Sequence, residues 1–292
     1  LRGPHKGDSL NFNRPTYINP LLQRDNGDLM RSRGHLSELL VKEFSDLLVR
    51  VKDQKSPWFI NYWTYLPHTP LEPARRFATQ YPDTPEGRYE AMLSQVDDVV
   101  GRVLQSLDEH GLADSTLVFL ASDNGGTDKQ LRNNAPFSGE KNTFTEGGLR
   151  TPLLIRWPGV LPKGLVIDEL VSYLDYYPTI QGLVMPEQPS SLPGRNILPM
   201  LLGDGVQPQP LFWLSGPPIF SSWSVLNATG TERMGSIFGS APEYLDLKQD
   251  SSGGTAAKAE IPSEKVTPLA DLYRQWHTAQ REVKGLRWHA DK

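Results

Sequence analysis

The 292-residue chain contains no cysteine. A disulfide, a thiolate metal site and a cysteine nucleophile are therefore excluded from it. It also has no apolar run near the roughly 18 residues that a membrane-spanning helix needs. Neither sign of charge dominates: 30 Lys and Arg face 34 Asp and Glu, a net charge of −4. Nothing in that balance favours nucleic acid or an anionic membrane surface as a partner. There are no internal repeats; the first residue is Leu1, not methionine, and no signal peptide is visible in the sequence. The chain is accordingly expected to be processed or incomplete. Its length suits one large α/β domain, or a domain with a smaller companion.

What is present is helix and strand patterning. Leu36, Leu39, Leu40, Phe44, Leu47, Leu48 and Val51 recur at spacings of three and four and predict a helix. A second helix is signposted by Thr84 as N-cap, Pro85 at the first helical position and Gly111 as the stop. Its stripe is Met92, Val96, Val99, Val100, Val103, Leu104 and Leu107. WFINYWTYL (58–66) and TLVFLA (116–121) read as buried strands flanking this helix. Strand, helix, strand predicts a parallel sheet with the helix as crossover. TPLLIRW (151–157) and LFWLS (211–215) are further strand candidates. A short helix is predicted over Asp175–Val184 and a last one from Thr267-Pro268, with SSGGTAAKAE (251–260) as a flexible loop.

Sites in open α/β sheets form beyond the carboxyl ends of strands. One predicted strand ends at His68 in LPHTP, the other at Asp123 and Asn124 in FLASDNGG. Parallel neighbours would bring both ends to one sheet edge. Asp-Asn-Gly-Gly reads either as a turn or as oxygen ligands for a hard cation, although calcium takes about six to eight oxygens. His68 reads as a solvated loop residue or as a donor to a leaving oxygen. Lys141 reads as a surface charge or, with Glu146, Gly147, Gly148 and Arg150, as part of an anion-binding loop.

LVFLASDNGG, followed by SGEKNTFTEGGLRTPLLIRWPG, resembles the sulfatase family of the alkaline phosphatase superfamily. PHTPLEP (67–73) and LVSYLDYYPTI (170–180) are similar to further segments of that family. The resemblance is strongest over residues 57–185. It implies an alkaline-phosphatase-like α/β fold with a mostly parallel central sheet flanked by helices, truncated at its N-terminus. Residues 1–204 would be a partial sulfatase domain and 205–292 a subdomain of short strands and a terminal helix.

Residue by residue, the resemblance implies Ca2+ ligation by Asp123 and Asn124, contact of His68 with the sulfate ester near its leaving oxygen, and binding of a sulfate oxygen by Lys141. Glu146 and Arg150 are read as holding the loop. In the family a hydrated formylglycine attacks sulfur, the alcohol leaves with a donated proton, and the covalent sulfate is eliminated. Formylglycine is made from Cys or Ser in Cys/Ser-x-Pro-x-Arg. With no cysteine, and no serine read in that setting, the nucleophile is expected in a missing N-terminal half. That half would also supply an Asp-Asp pair of calcium ligands, since Asp97-Asp98 lies within the predicted crossover helix.

The expected function is therefore sulfate ester hydrolysis, on a sulfated carbohydrate, by this chain joined to its N-terminal half. Alone, the chain is expected to be inactive and to bind calcium weakly. A phosphomonoesterase or phosphodiesterase, and a catalytically inactive binding protein, are the rival readings. Trp63, Tyr65, Arg132 and Asn133 are candidates to line the pocket. The family points to the periplasm, the cell exterior or the lysosome, and Asn227-Ala228-Thr229 would be glycosylated in a eukaryotic secretory pathway.

Overall fold

A computed structural model describes residues 16–127, 131, 133–188, 190–215, 222–237, 239–254 and 263–282. They fall into two compact units, the first drawn from residues 1–117 and 157–160, the second from 118–156 and 161–292. The division expected at residue 204 falls inside the second unit.

In the first unit, strands β1 (Leu21–Gln23) and β2 (Leu29–Arg31) form a small antiparallel hairpin. Helix α1 (Leu36–Val51) has the bounds its leucine spacing predicts. Its N-cap is His35, whose imidazole accepts from the Ser37 amide at 3.2 Å. A short helix, α2 (Arg75–Ala78), precedes α3 (Pro85–Glu109). Thr84 caps α3 by accepting from Gly87 N–H, and Gly111 terminates it at φ +69°, where a side chain would be strained. Tyr17, Leu22, Leu36, Val41, Leu66, Met92 and Val99 form the core between these elements.

WFINYWTYL forms no strand ladder among the described residues. The alternation that suggested a strand is real: Trp58, Ile60 and Tyr62 are half-buried while Phe59, Asn61 and Trp63 are exposed. Tyr62 packs edge-on against Phe44 at 5.8 Å. Tyr62 thus packs on helix α1, but among the described residues no neighbouring strand takes up the backbone groups, so a β pattern does not become a sheet.

The second unit opens with β3 (Val118–Ala121), followed by α4 (Glu146–Leu149) and β4 (Leu153–Arg156). The strands pair antiparallel, Val118 opposite Arg156 and Ala121 opposite Leu153. Neither is buried on both faces: Leu154 is exposed, and β3 is half-covered. A parallel βαβ unit, and with it a mostly parallel sheet, is not what the described strands form; every pairing among them is antiparallel. The two predicted strand ends consequently lie in separate units.

Helix α5 (Tyr176–Val184) and the short α6 (Leu198–Leu201) follow. Strands β5 (Leu211–Ser215), β6 (Ser222–Leu226), β7 (Glu232–Ser236) and β8 (Glu243–Asp246) make an antiparallel meander. Helix α7 (Ser263–Glu282) lies over it, stacking Tyr273 on Trp223 at 4.1 Å and Trp276 on Phe212 at 5.0 Å. This helix begins four residues before the predicted Thr267, with Pro268 inside it. The fold class is mixed α/β.

Candidate functional site: a histidine loop and a glycine-clamped lysine loop

In the first unit, His68 is exposed on the loop after Leu66. Its Nδ1 lies 2.7 Å from the Thr69 carbonyl. A carbonyl can only accept, so Nδ1 carries the hydrogen and Nε2 is the nitrogen left to hold or give a proton. Trp63 and Tyr65 are both exposed, at 79% and 49%. They are available to a ligand but form no enclosed pocket among the described residues.

In the second unit, β3 runs into Ser122-Asp123-Asn124-Gly125-Gly126. The stretch is more than a turn. A β-carbon on Gly125 would sit 1.7 Å from the Gly147 carbonyl oxygen, and one on Gly126 would collide with the Asn133 side chain at 2.2 Å. The paired glycines therefore allow two loops to touch. Gly125 N–H donates to Gly148 O at 3.2 Å, and Lys141 N–H donates to Gly126 O at 2.9 Å. Asn134 closes the clamp: its Oδ1 accepts from Gly126 N–H at 2.7 Å, and its Nδ2 donates to Gly126 O and Gly139 O at 3.0 and 3.1 Å. Asp123, Asn124 and Lys141 are thus brought to one place by backbone contacts. Asn134 was not singled out by sequence; its only signal was a polar pair, Asn133-Asn134, close after two glycines.

The Asp123 carboxylate is exposed, and among the described residues it enters no ion pair or side-chain hydrogen bond. Asn124 leaves its amide equally unengaged, while its backbone carbonyl accepts from Ser122 Oγ at 2.9 Å. A free carboxylate beside a free amide oxygen suits calcium, a hard cation. These are two donors where about six to eight oxygens are needed. No group of three or more His, Cys, Asp or Glu that could hold a metal occurs among the described residues. The pair fits a share of a calcium site.

The loop carrying Lys141 is held from the far end of the unit. Glu146 and Arg233 are both buried, with Arg233 Nε 3.9 Å from Glu146 Oε1 and Arg150 Nη1 3.6 Å from Oε2. Arg233 also donates from Nη1 to the Phe144 carbonyl. Burial pushes the Glu146 carboxyl up, against the pull of Arg233 and Arg150, and pushes Arg233 down. Ser138 N–H donates to Ser252 O at 2.8 Å, and Ser138 Oγ to Gly253 O at 2.5 Å. Ser252 and Gly253 of the expected flexible loop are therefore packed on Ser138, with Gly253 also against Glu146; residues 255–260 lie outside the described residues, as does Arg132.

Three further expectations are decided by these surroundings. Asp97 and Asp98 lie inside α3, where Asp98 pairs with Arg76 and Arg102, so they serve the helix surface. Ser191-Leu192-Pro193-Gly194-Arg195 does spell Ser-x-Pro-x-Arg, which corrects the expectation that no serine stands in that setting. The structure gives Arg195 a packing role: Nη2 lies 2.9 Å from Asp175 Oδ2 and both side chains are buried. Ser191 is exposed and shares no hydrogen bond with Asp123, Asn124 or Lys141 among the described residues. Asn227, the sequon asparagine, spends its Nδ2 on Thr231 Oγ1 and Glu232 Oε2 and its Oδ1 on the Thr231 and Glu232 amides. Its side chain shapes the β6–β7 turn.

The sulfatase family profile matches residues 6–185, more than half of the chain. The chain belongs to the sulfatase family. It is 31% identical over 202 residues to the N-acetylgalactosamine-6-sulfatase of Sus scrofa, covering 67% of this sulfatase chain and 38% of that protein. It is 35% identical over 178 residues to the steryl-sulfatase of Rattus norvegicus, covering 58% of this chain and 30% of that one. Among solved structures, Ps i-CgsB in complex with k-i-k-neocarrahexaose superimposes with a TM-score of 0.75 at 25% identity, over 87% of this chain and 56% of that one. The chain thus spans well under two thirds of the length of these relatives.

Proposed function

We propose that the protein to which this chain belongs hydrolyses sulfate esters, with a sulfated carbohydrate as substrate class. The observation that carries the reading is the clamp that pins Lys141 N–H to Gly126 O, two residues after Asn124, inside the span that matches the family. A lysine whose backbone is held close to a cation-ready Asp-Asn pair suits an anionic oxyester better than a neutral one. Lys141 binds a sulfate oxygen. His68, with Nδ1 committed to Thr69 O, keeps Nε2 for a proton given to the leaving oxygen. Asp123 and Asn124 hold part of a Ca2+ site, and the bound ion supplies positive charge to the sulfate.

The remaining calcium ligands and the formylglycine nucleophile come from an N-terminal half, and this chain alone is inactive. The family resemblance supports the periplasm, the cell exterior or the lysosome as the compartment. No helix among the described residues is long and apolar enough to cross a membrane.

Turnover of 4-nitrophenyl sulfate and 4-nitrophenyl phosphate by the full-length protein tests the reading, with Lys141→Ala as control. Sulfate is expected to be preferred, with the preference reduced in Lys141→Ala. A preference for phosphate makes the protein a phosphoesterase, and saturable binding of sulfated glycan without turnover makes it a binding protein. For the isolated chain, calorimetry is expected to show no tight calcium binding; tight binding by the monomeric chain rules out the shared site.

A further inference from the structure

His68 is exposed, yet its loop is not loose. Beneath it lies Tyr17, 6% exposed, whose ring is tilted against His35 at 5.9 Å and Tyr65 at 6.3 Å. The Tyr17 hydroxyl donates to the His68 carbonyl at 2.8 Å, and the carbonyls of Thr69 and Tyr65 face it at 3.2 and 3.3 Å. One hydroxyl therefore meets the backbone acceptors on both sides of the histidine. The Thr69 carbonyl is the same oxygen that takes the His68 Nδ1 hydrogen. Tyr17 and the His68 ring are joined through a single shared atom.

Tyr17 is itself fixed. Its amide donates to Glu72 Oε2 at 2.9 Å, and Thr16 Oγ1 donates to the same oxygen at 2.7 Å. The Glu72 carbonyl lies 2.8 Å from His35 Nε2, the cap of α1. Burial first, then Glu72, pushes the phenol up to about 12, so it stays a donor through the neutral range.

We propose that Tyr17 is a positioning residue for His68: it holds the Thr69 carbonyl so that Nδ1–H stays bonded to it while Nε2 faces the leaving oxygen, the doubly protonated ring giving its Nε2 proton and returning to the Nδ1–H form. This deepens the sulfatase reading and rests on it for the catalytic consequence; the tautomer stands without it.

The test uses the full-length protein and two aryl sulfates of similar shape, 4-nitrophenyl sulfate and 4-methoxyphenyl sulfate. The nitro compound departs as a stable phenolate and has little need of a proton; the methoxy compound needs one. General acids typically contribute about 10²- to 10⁴-fold. Tyr17→Phe is expected to lower kcat/KM for the methoxy ester by at least about 10-fold, with the nitro ester changed by less than about 3-fold. Equal slowing of both esters, or of neither, overturns the positioning role.

If neither ester is turned over by the unaltered protein, the sulfatase reading fails by itself. The positioning role is then decided by the imidazole nitrogen NMR signals of His68 in the unaltered protein. An Nδ1–H tautomer that becomes a mixture in Tyr17→Phe supports it. An Nε2–H tautomer in the unaltered protein, which needs no variant to fold, overturns it.

Discussion

Arg233 and Glu146 face each other inside the second unit, 3.9 Å apart from Nε to Oε1, each less than a tenth exposed. Breaking a buried pair costs about 3–5 kcal/mol, and without Arg233 the buried Glu146 keeps only the solvent-exposed Arg150, 3.6 Å away. Arg233→Met is expected to destabilise the protein on that scale in urea unfolding. The double variant Arg233→Met, Glu146→Leu should recover part of the loss, because no lone buried charge remains. A single-variant loss below about 1 kcal/mol would show that the pair behaves like an exposed one.

Asn134 makes three hydrogen bonds that tie Gly126 to Gly139. Each is worth about 1 kcal/mol net, more where a buried group is orphaned. Asn134→Ala should therefore cost about 2–4 kcal/mol and release the amides of Gly126 and Lys141 to hydrogen exchange before the amides of β6. Unchanged protection at Lys141 would remove Asn134 from the clamp.

Two glycines provide opposite outcomes from the same substitution. Gly125→Ala puts a methyl 1.7 Å from the Gly147 carbonyl and should separate the lysine loop from Asp123 and Asn124, with loss of folded protein or of activity. Gly101 lies in helix α3 with open space around its β-carbon. Gly101→Ala should stabilise by about 0.5–1 kcal/mol. A shared direction of change in thermal unfolding would contradict the close-approach account.

The first unit should weaken in acid. Burial pushes the His35 imidazole below its ordinary value of 6.5, with the Glu72 carbonyl and nearby carboxylates opposing. In the neutral ring Nδ1 accepts from the Ser37 amide and Gln95 Nε2 at 3.2 and 3.1 Å, bonds that a proton there would break, leaving it only the Ser37 hydroxyl at 3.0 Å. In the window below 6.5 the unfolded chain binds the proton more readily, so stability falls as pH drops until the folded value is passed. His35→Asn, which can still cap α1, should flatten that part of the pH profile. An equally steep acid loss in the variant would place its origin elsewhere.

Ser191 should remain an ordinary serine. Mass spectrometry of its peptide from the natural full-length protein is expected to show no aldehyde at that position, and Ser191→Ala should keep activity. An aldehyde found there would move the nucleophile into this chain and overturn the assignment of Arg195 to packing alone.

Much of the helical framework was legible because the signals are local. The leucine spacing set the bounds of α1, and Thr84, Pro85 and Gly111 marked both ends of α3. Asp123 and Lys141 were singled out by a motif that resembles the family's, but the reason for Gly125 and Gly126 was not legible, since it is the proximity of Gly147 and Asn133. WFINYWTYL misled because alternation records one packed face and says nothing about whether a neighbouring strand exists. Tyr17 and Arg233 left no sequence signal. Each acts on a backbone carbonyl far along the chain, and a carbonyl has no residue identity to read.

The contacts of Ser138 with Ser252 and Gly253 also order events in time. The lysine loop leaves the ribosome first, but the Gly253 oxygen that anchors it follows 115 residues after Ser138, and Arg233 89 residues after Phe144. A nascent chain halted before residue 233 would carry every candidate ligand of the second unit and the Asn134 clamp, but neither Arg233 nor the Ser252 and Gly253 anchors of the lysine loop. The lysine loop is therefore fully braced only after the segment through Gly253 has been made and has folded back onto it.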